Sequence, residues 1–444
     1  MAVVVSDRGV GRDGRHFLRG FGLRTVINRS AQHKSGDRLV TAASASTIQA
    51  SILQLDLFTC HVDTLDYMHA DEIRALEQAL IKTKAGAGCA AMMWGLCAQA
   101  GGLDRTGQDL GPLFENGRYL SVETYTVRPR IQGADALGKS TGQVADDYTQ
   151  WGFAYKQDVN PRTSVLLMLS KPFGLDIAYS PRQSPLFGGT QARVSSHELM
   201  GALRYRWDEH WAVHGGLRLQ RTEGHVALGG MVFGALSGYR VDFRPSTEPG
   251  YLLGMSYERP DMTLRVAATY YSAIRHKIAT RENLWPGETR TASTAPQSFN
   301  LDVQTGITSS TLLFGQIRWT NWSQFRLHPQ TLAAILPGRS LADMEDTTTY
   351  TLGLGQRLAA NWSGFVTVAY DKRSDKAALS PLRPTDGRLG YTVGMSYQQG
   401  QFKLTPWLSY QRLGSVDISS GGTTLAAFDA ESATAFGIRL GYQF

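Results

Sequence analysis

Two serines and two histidines raise the first chemical question in this sequence. Ser195 and Ser196 adjoin His197, and His214 follows on the next strand-like segment. A serine hydroxyl activated by an imidazole is the core of many hydrolase sites. The phase of the residues opposes that reading. His214 alternates with Val213 and falls among the polar positions of its segment, whereas His197 shares a face with Leu199, so the two imidazoles point to opposite sides of a sheet. Cys60, Cys89 and Cys97 all precede Gly101, so a chain cut there carries no thiol for catalysis, disulfides or metal. Asp343, Glu345 and Asp346 read as a charged loop rather than metal ligands, and no cofactor is implied. What remains is cationic. Arg204, Arg218 and Arg265 occupy the polar face of their segments, where a guanidinium can pair with a ligand carboxylate or simply with a neighbouring strand.

The elements that must position these residues are strands. From Tyr119 onward the chain runs in segments of about ten residues with period-two alternation, the pattern of transmembrane β-strands. Fourteen are expected, over 119–131, 148–158, 163–171, 195–206, 210–221, 250–258, 262–272, 297–306, 309–319, 347–357, 361–371, 388–398, 401–412 and 431–444. Within 210–221, Trp211, Val213, Leu217 and Leu219 share one face, and His214, Arg218 and Gln220 share the other. Such a face turns inward in a soluble sandwich and outward, to lipid, in a barrel. Connection lengths favour the barrel. The links after strands two, four, six, eight, ten and twelve are tight, as at 158–162 and 399–400, while intervening links such as 172–194, 222–249 and 321–346 are long. Short periplasmic turns alternating with long outer loops give this rhythm, and an even strand count leaves both ends in the periplasm.

The last strand carries its own signal. Phe436, Ile438, Leu440, Tyr442 and Phe444 lie on one face, opposite Ala435, Gly437, Arg439, Gly441 and Gln443. An apolar edge left unpaired would aggregate, so this strand must close on the first. The aromatic terminus at Phe444 is a handle for the machinery that assembles outer-membrane barrels.

Charged residues make up 19% of the chain, too many for a helical membrane protein. The apolar stretch 85–98 is too short to span a bilayer as a helix. With Lys82 and Lys84 before it and Ala98-Gln99-Ala100 after it, residues 81–100 instead read as a secretory signal peptide cut between Ala100 and Gly101. Residues 1–80 show no strand alternation and read as an unstructured extension ahead of the true start, with a genuine leader segment as the competing explanation. The formal charge of +7 asks for acidic partners. Lipopolysaccharide phosphates suit an outer-membrane protein better than nucleic acid does. Trp207, Trp211, Trp319 and Trp322 sit near strand ends and read as an interfacial girdle.

Three stretches resemble a known family. They are Lys171-Pro172-Phe173-Gly174-Leu175-Asp176-Ile177-Ala178-Tyr179, Gly254-Met255-Ser256-Tyr257-Glu258-Arg259-Pro260 leading into Leu264-Arg265-Val266-Ala267, and Leu312-Leu313-Phe314-Gly315 with Arg318-Trp319 and Trp322-Ser323. Over 101–444 the sequence resembles the FadL-type outer-membrane transporters of long-chain fatty acids and other hydrophobic compounds. The resemblance implies an all-β, fourteen-stranded antiparallel transmembrane barrel with a short N-terminal hatch in its lumen, acting as a monomer. It also implies passive uptake through an opening in the wall near strand three. The hatch would be 101–118, with Leu103, Leu110, Leu113 and Phe114 as its apolar residues and its glycines breaking strand structure. Pro172 and Gly174 would interrupt strand three. Phe114 and Phe173, with the three arginines, are the expected ligand contacts. The family's Asn-Pro-Ala hatch motif is absent. A general diffusion porin, an outer-membrane lipid hydrolase and an adhesin are the rivals. A porin would conduct ions without removal of any plug, and the loops hold no repeats of the kind an adhesin would use.

Overall fold

The computed structural model describes residues 103–373, 380–420, 422–429 and 431–444. The extension over 1–80, the leader over 81–100 and the Ala100/Gly101 cut lie outside the described residues. Seventeen hydrogen-bonded segments form one closed antiparallel wall, and because three strands are each broken once, fourteen strands cross it. They are β1 (Arg118–Arg130), β2 (Tyr148–Asn160), β3 (Thr163–Ser170, resuming as Gly174–Ala178), β4 (Gln191–Arg206), β5 (Trp211–Ala227), β6 (Arg240–Arg259) and β7 (Leu264–Tyr271, then Ile274–Glu282). There follow β8 (Glu288–Ala295, then Ser298–Gly306), β9 (Thr311–Thr320), β10 (Thr347–Arg357), β11 (Trp362–Asp371), β12 (Arg388–Gln399), β13 (Phe402–Leu413) and β14 (Ser432–Gln443). Each strand pairs with its sequence neighbours, and β1 closes on β14 from Tyr119↔Gln443 to Arg130↔Ser432. The Phe444 amide then donates to Arg118 O at 3.0 Å.

The barrel is inverted relative to a soluble protein. On β11, Val366, Val368 and Tyr370 are exposed while Phe365, Thr367 and Asp371 between them are buried. Lys156, Arg204, His214, Arg218 and Arg318 are all buried on the inside. Water beside that aliphatic outer face would cost about 1.5–3 kcal/mol for each large side chain, which is what lipid relieves. No helix of the described residues is long and apolar enough to cross a membrane.

Three features depart from the sequence expectation. Strands β4 to β8 run further outward than 195–206, 210–221, 250–258, 262–272 and 297–306, so the link after β5 shrinks to 228–239 and the link after β7 to 283–287. Their outer ends have charged outward residues such as Arg221, Arg275 and Arg290, so they lack the apolar face by which membrane strands are read. Trp322 is no girdle residue: it is 1% exposed and packs edge-on against Phe173, 5.2 Å between centroids. Trp207 and Trp211 do stack at the outer surface of the periplasmic end, 6.2 Å apart. Finally, Gly133–Asp135, Val416–Ser420 and Thr423–Phe428 form a small separate sheet, whose Ile418 and Phe428 pack with Tyr179 and Phe187 from the β3–β4 link.

Candidate functional site

Residues 103–117 lie inside the barrel and are tied to its wall at many points. The strongest tie is a fully buried ion pair. Arg318 of β9 donates from Nε (2.9 Å) and Nη2 (2.6 Å) to Asp104 Oδ2, and its remaining N–H groups reach Gln108, Ser298 and Asn300. Gly107 turns the segment at φ 61°, and the next residue, Gln108, also has positive φ. That strained conformation is held by Tyr271 OH donating to Gln108 O at 2.6 Å and Ser298 Oγ donating to Gln108 Oε1 at 2.7 Å. Leu110 and Leu113 pack on Leu166, Met200, Ala202 and Leu252 of the wall. Lower down, Lys156 donates to Glu115 O. Burial pushes the Glu115 carboxyl up to about 7, against the pull of Lys403, Arg265, Arg439 and Lys156.

The top of this hatch meets a break in the wall. β2 and β3 pair up to Phe153↔Leu169 and meet again only at Ala145↔Ile177. Between those points, six residues (147–152) face six (170–175) with no backbone pairing among the described residues. Pro172 lacks the N–H a ladder would need. Hatch backbone occupies the groups left over: Arg105 N donates to Pro172 O at 2.8 Å, and Gly174 N donates to Leu103 O at 2.9 Å. The Arg105 side chain seals the upper part, with Nε donating to Gly174 O at 2.8 Å and its guanidinium 3.3 Å from the centre of the Tyr148 ring. Below that seal, Gln108 and Asp109 of the hatch, Glu198, and Trp151 and Leu169 of the outer face line one pocket at the slit.

Above the hatch lies a larger cavity, open outward and floored by Leu103, Asp104 and Arg105. Val127, Ile131, Ile177, Val226, Leu327 and Leu382 give it apolar walls. Arg388 projects into it, with Nε on Asp371 at 2.7 Å and Nη1 on Gln411 at 3.2 Å. Two buried guanidinium nitrogens beside this cavity have no hydrogen-bond partner among the described residues, Arg105 Nη1 and Arg388 Nη2. A second, inner pocket adjoins it through Leu103, Val194, Phe325 and Leu327, and is lined by Phe173, Phe243, Ile278 and Trp322.

The residues singled out from sequence therefore separate into groups. Arg204, Arg218 and Arg265 face inward, but Arg204 and Arg265 meet the hatch and Arg218 meets the wall, and none lines either pocket above the hatch. Arg204 is paired with Glu258, Arg218 donates to Glu198 at 2.8 Å, and the Arg204 and Arg265 guanidinia lie 4.9 and 4.3 Å from the Phe114 ring centre. Phe114 is thus a hatch anchor, with the His214 ring edge-on at 6.0 Å. Phe173 does line the inner pocket, and Pro172 and Gly174 flank the slit. The serines and histidines are not assembled. Ser196 Oγ is bonded to Phe173 O, His197 lies outside near Trp151, and His214 lies inside, 2.9 Å from Thr269 Oγ1. Among the described residues no cluster of His, Cys, Asp or Glu could hold a metal. Neither alternation nor spacing marks Arg105, Asp104, Arg318 or Arg388 as site residues. The one available sign was that charged residues sit in a glycine-rich hatch and at strand ends, and charge in a loop is ordinarily solvated.

The sequence profile described as "Outer membrane protein transport protein (OMPP1/FadL/TodX)" matches residues 119–444. The fold superposes on the structure of a Pseudomonas aeruginosa FadL homologue with a TM-score of 0.61 at 16% identity, over 75% of this chain and 92% of that one. It superposes on the Pseudomonas putida toluene transporter TodX with a TM-score of 0.54 at 14% identity, over 74% and 90%. For the Ralstonia pickettii toluene transporter TbuX the TM-score is 0.53 at 15% identity, over 75% and 90%. At such identities these likenesses bear on the fold alone. No curated protein matches the sequence.

Proposed function

The chain belongs to the OMPP1/FadL/TodX family of outer membrane transport proteins, and from that premise we propose that it admits long-chain fatty acids or closely similar hydrophobic acids by passive diffusion. On this reading the molecule enters the outer cavity, displaces the top of the hatch and leaves sideways between β2 and β3. A hydrophobic molecule gains nothing in a water-filled pore, whereas apolar walls replace its unfavourable hydration. The observation that carries the acid is the pair of buried, unmatched donors, Arg105 Nη1 and Arg388 Nη2, beside an otherwise apolar cavity. A buried donor without a partner costs about 1–3 kcal/mol, and a carboxylate oxygen would remove that cost for either arginine. Because Arg105 also closes the slit, a ligand that engages it would loosen the seal by the same act.

Export through the 81–100 leader, cleavage between Ala100 and Gly101, a monomeric state, lipopolysaccharide as neighbour and delivery by the barrel assembly machinery through Phe444 belong to the same proposal. A second reading, uptake of small neutral aromatics, draws on the inner pocket with its Phe173, Phe243 and Trp322 rings. TodX and TbuX are described as toluene transporters. Uptake of radiolabelled oleate and toluene by a deletion strain, with and without the gene restored, separates the two. The fatty-acid reading is refuted if the strain imports oleate as fast as its parent.

A further inference from the structure

The wall is open in a second place. β6 and β7 pair up to Leu252↔Tyr271, and Ser272 N still donates to Tyr251 O, but pairing resumes only at Phe243↔Thr280. The register is the same on both sides of this gap, so seven residues (244–250) face seven (273–279) without backbone pairing among the described residues. The slit between β2 and β3 has the same form and nearly the same length. Both carry prolines where donors are missing, Pro172 in the first and Pro245 and Pro249 in the second.

What closes the two slits differs. Hatch backbone fills the first, and two side chains of β7 fill the second. Gly250 leaves room for Ile274, whose Cγ1 lies 2.7 Å from where a Cβ on Gly250 would stand. Above it, His276 reaches across with Nδ1 3.4 Å from Ser246 Oγ and Nε2 3.2 Å from Gln220 Oε1. These two polar contacts are long, and side-chain rotations alone would break them. Directly inside lies the apolar pocket, to which His276, Ile278 and Phe243 contribute, and whose far side is Phe173 at the first slit.

Beside an Arg244–Glu288 ion pair, and with Glu248 near His276, the second slit carries two further cations on its outside. Arg275 and Lys277 are exposed on β7, and neither is joined to a carboxylate among the described residues. Just below, Tyr251 and Tyr270 meet on the outer face with centroids 6.2 Å apart, which places the slit above an interfacial aromatic pair, at headgroup depth. We propose that the β6–β7 slit is a second side entrance, through which an acyl chain lying in the outer leaflet reaches the inner pocket while Arg275 and Lys277 hold its carboxylate at the rim. This inference rests on the transport reading above but not on the hatch or on the β2–β3 route.

The protein, reconstituted with lipopolysaccharide in its outer leaflet, tests this with a diazirine-bearing palmitate as probe and peptide mapping of the cross-links. Cross-links within 244–250 or 273–279 are expected, competed away by excess palmitate. His276→Trp, which fills the slit from inside, should abolish them while leaving cross-links at 147–152 and 170–175 unchanged. Replacing Arg275 and Lys277 with glutamine, both on the outer surface and so harmless to folding, should weaken labelling by palmitate but not by an uncharged diazirine-bearing alkane. Wild-type labelling confined to the β2–β3 slit would overturn the second entrance and leave the transport reading standing. Absence of labelling at both slits, together with unimpaired oleate uptake by the deletion strain, would overturn both.

Discussion

Removing one charge from the Asp104–Arg318 pair should open the hatch. Both side chains are wholly buried, and Arg318 commits its guanidinium to Asp104, Gln108, Ser298 and Asn300. Asp104→Asn keeps the shape and leaves the Arg318 charge uncompensated. Breaking a buried pair in this way costs about 3–5 kcal/mol. The cost falls on the closed state, because displacing 103–105 exposes Arg318 to water in the cavity above. The ratio of open to closed hatch should therefore rise by about two to three and a half orders of magnitude, at about 1.4 kcal/mol per tenfold. Planar-bilayer recordings read this directly, as frequent openings in Asp104→Asn where the parent is quiet. The double variant Asp104→Asn, Arg318→Met has no buried charge left and should return most of the way to quiet. Recordings in which Asp104→Asn is as quiet as the parent, or in which the double variant opens as much as the two single variants summed, would refute the ion pair as a latch.

Other consequences are equally direct. Arg388→Leu should slow oleate uptake while leaving toluene uptake near the parental rate, a split that competitive uptake assays measure. Burial pushes the Glu115 carboxyl up to about 7 in the folded protein, from an ordinary value near 4.5. The folded state therefore binds the extra proton between those values, and stability should fall as pH rises from about 4.5 through 7 and stay low above it. Urea unfolding in lipid vesicles at pH 5 and pH 8 should show this slope, and Glu115→Gln should flatten it. Phe114→Ala removes a ring held between two guanidinia and should destabilise the hatch by about 2–3 kcal/mol, seen as a lower melting temperature by calorimetry. Deleting Phe444 removes an amide bonded to Arg118 O and a ring 4.6 Å from Tyr442, and should lower the amount of heat-modifiable barrel recovered in outer membranes.

The sequence alone determined the wall. Period-two alternation, tight turns after every second strand and the apolar face ending at Phe444 are local properties, each forced by lipid on one side of a strand and polar groups on the other. Fourteen strands, their order and the closure of β14 on β1 follow from such properties. Where the lipid ends, so did legibility: the outer parts of β4 to β8 face headgroups and water, lose the apolar face and read as loops, although their backbone still pairs. The hatch residues Leu110 and Leu113 were legible as apolar positions, but the partners of its charges were not. Asp104 meets Arg318 across 214 residues of sequence, and Arg388 meets the outer cavity only because β12 returns beside β13. Alternation marks Arg204, Arg218 and Arg265 only as inward cations, and packing alone decides that Arg204 and Arg265 flank Phe114 while Arg204 and Arg218 pair with Glu258 and Glu198. The slits are tertiary as well. A proline marks where a ladder bond can be lost, but whether the neighbouring strand stays or parts depends on what fills the gap, hatch backbone beside Pro172 and the Ile274 and His276 side chains opposite Pro245 and Pro249.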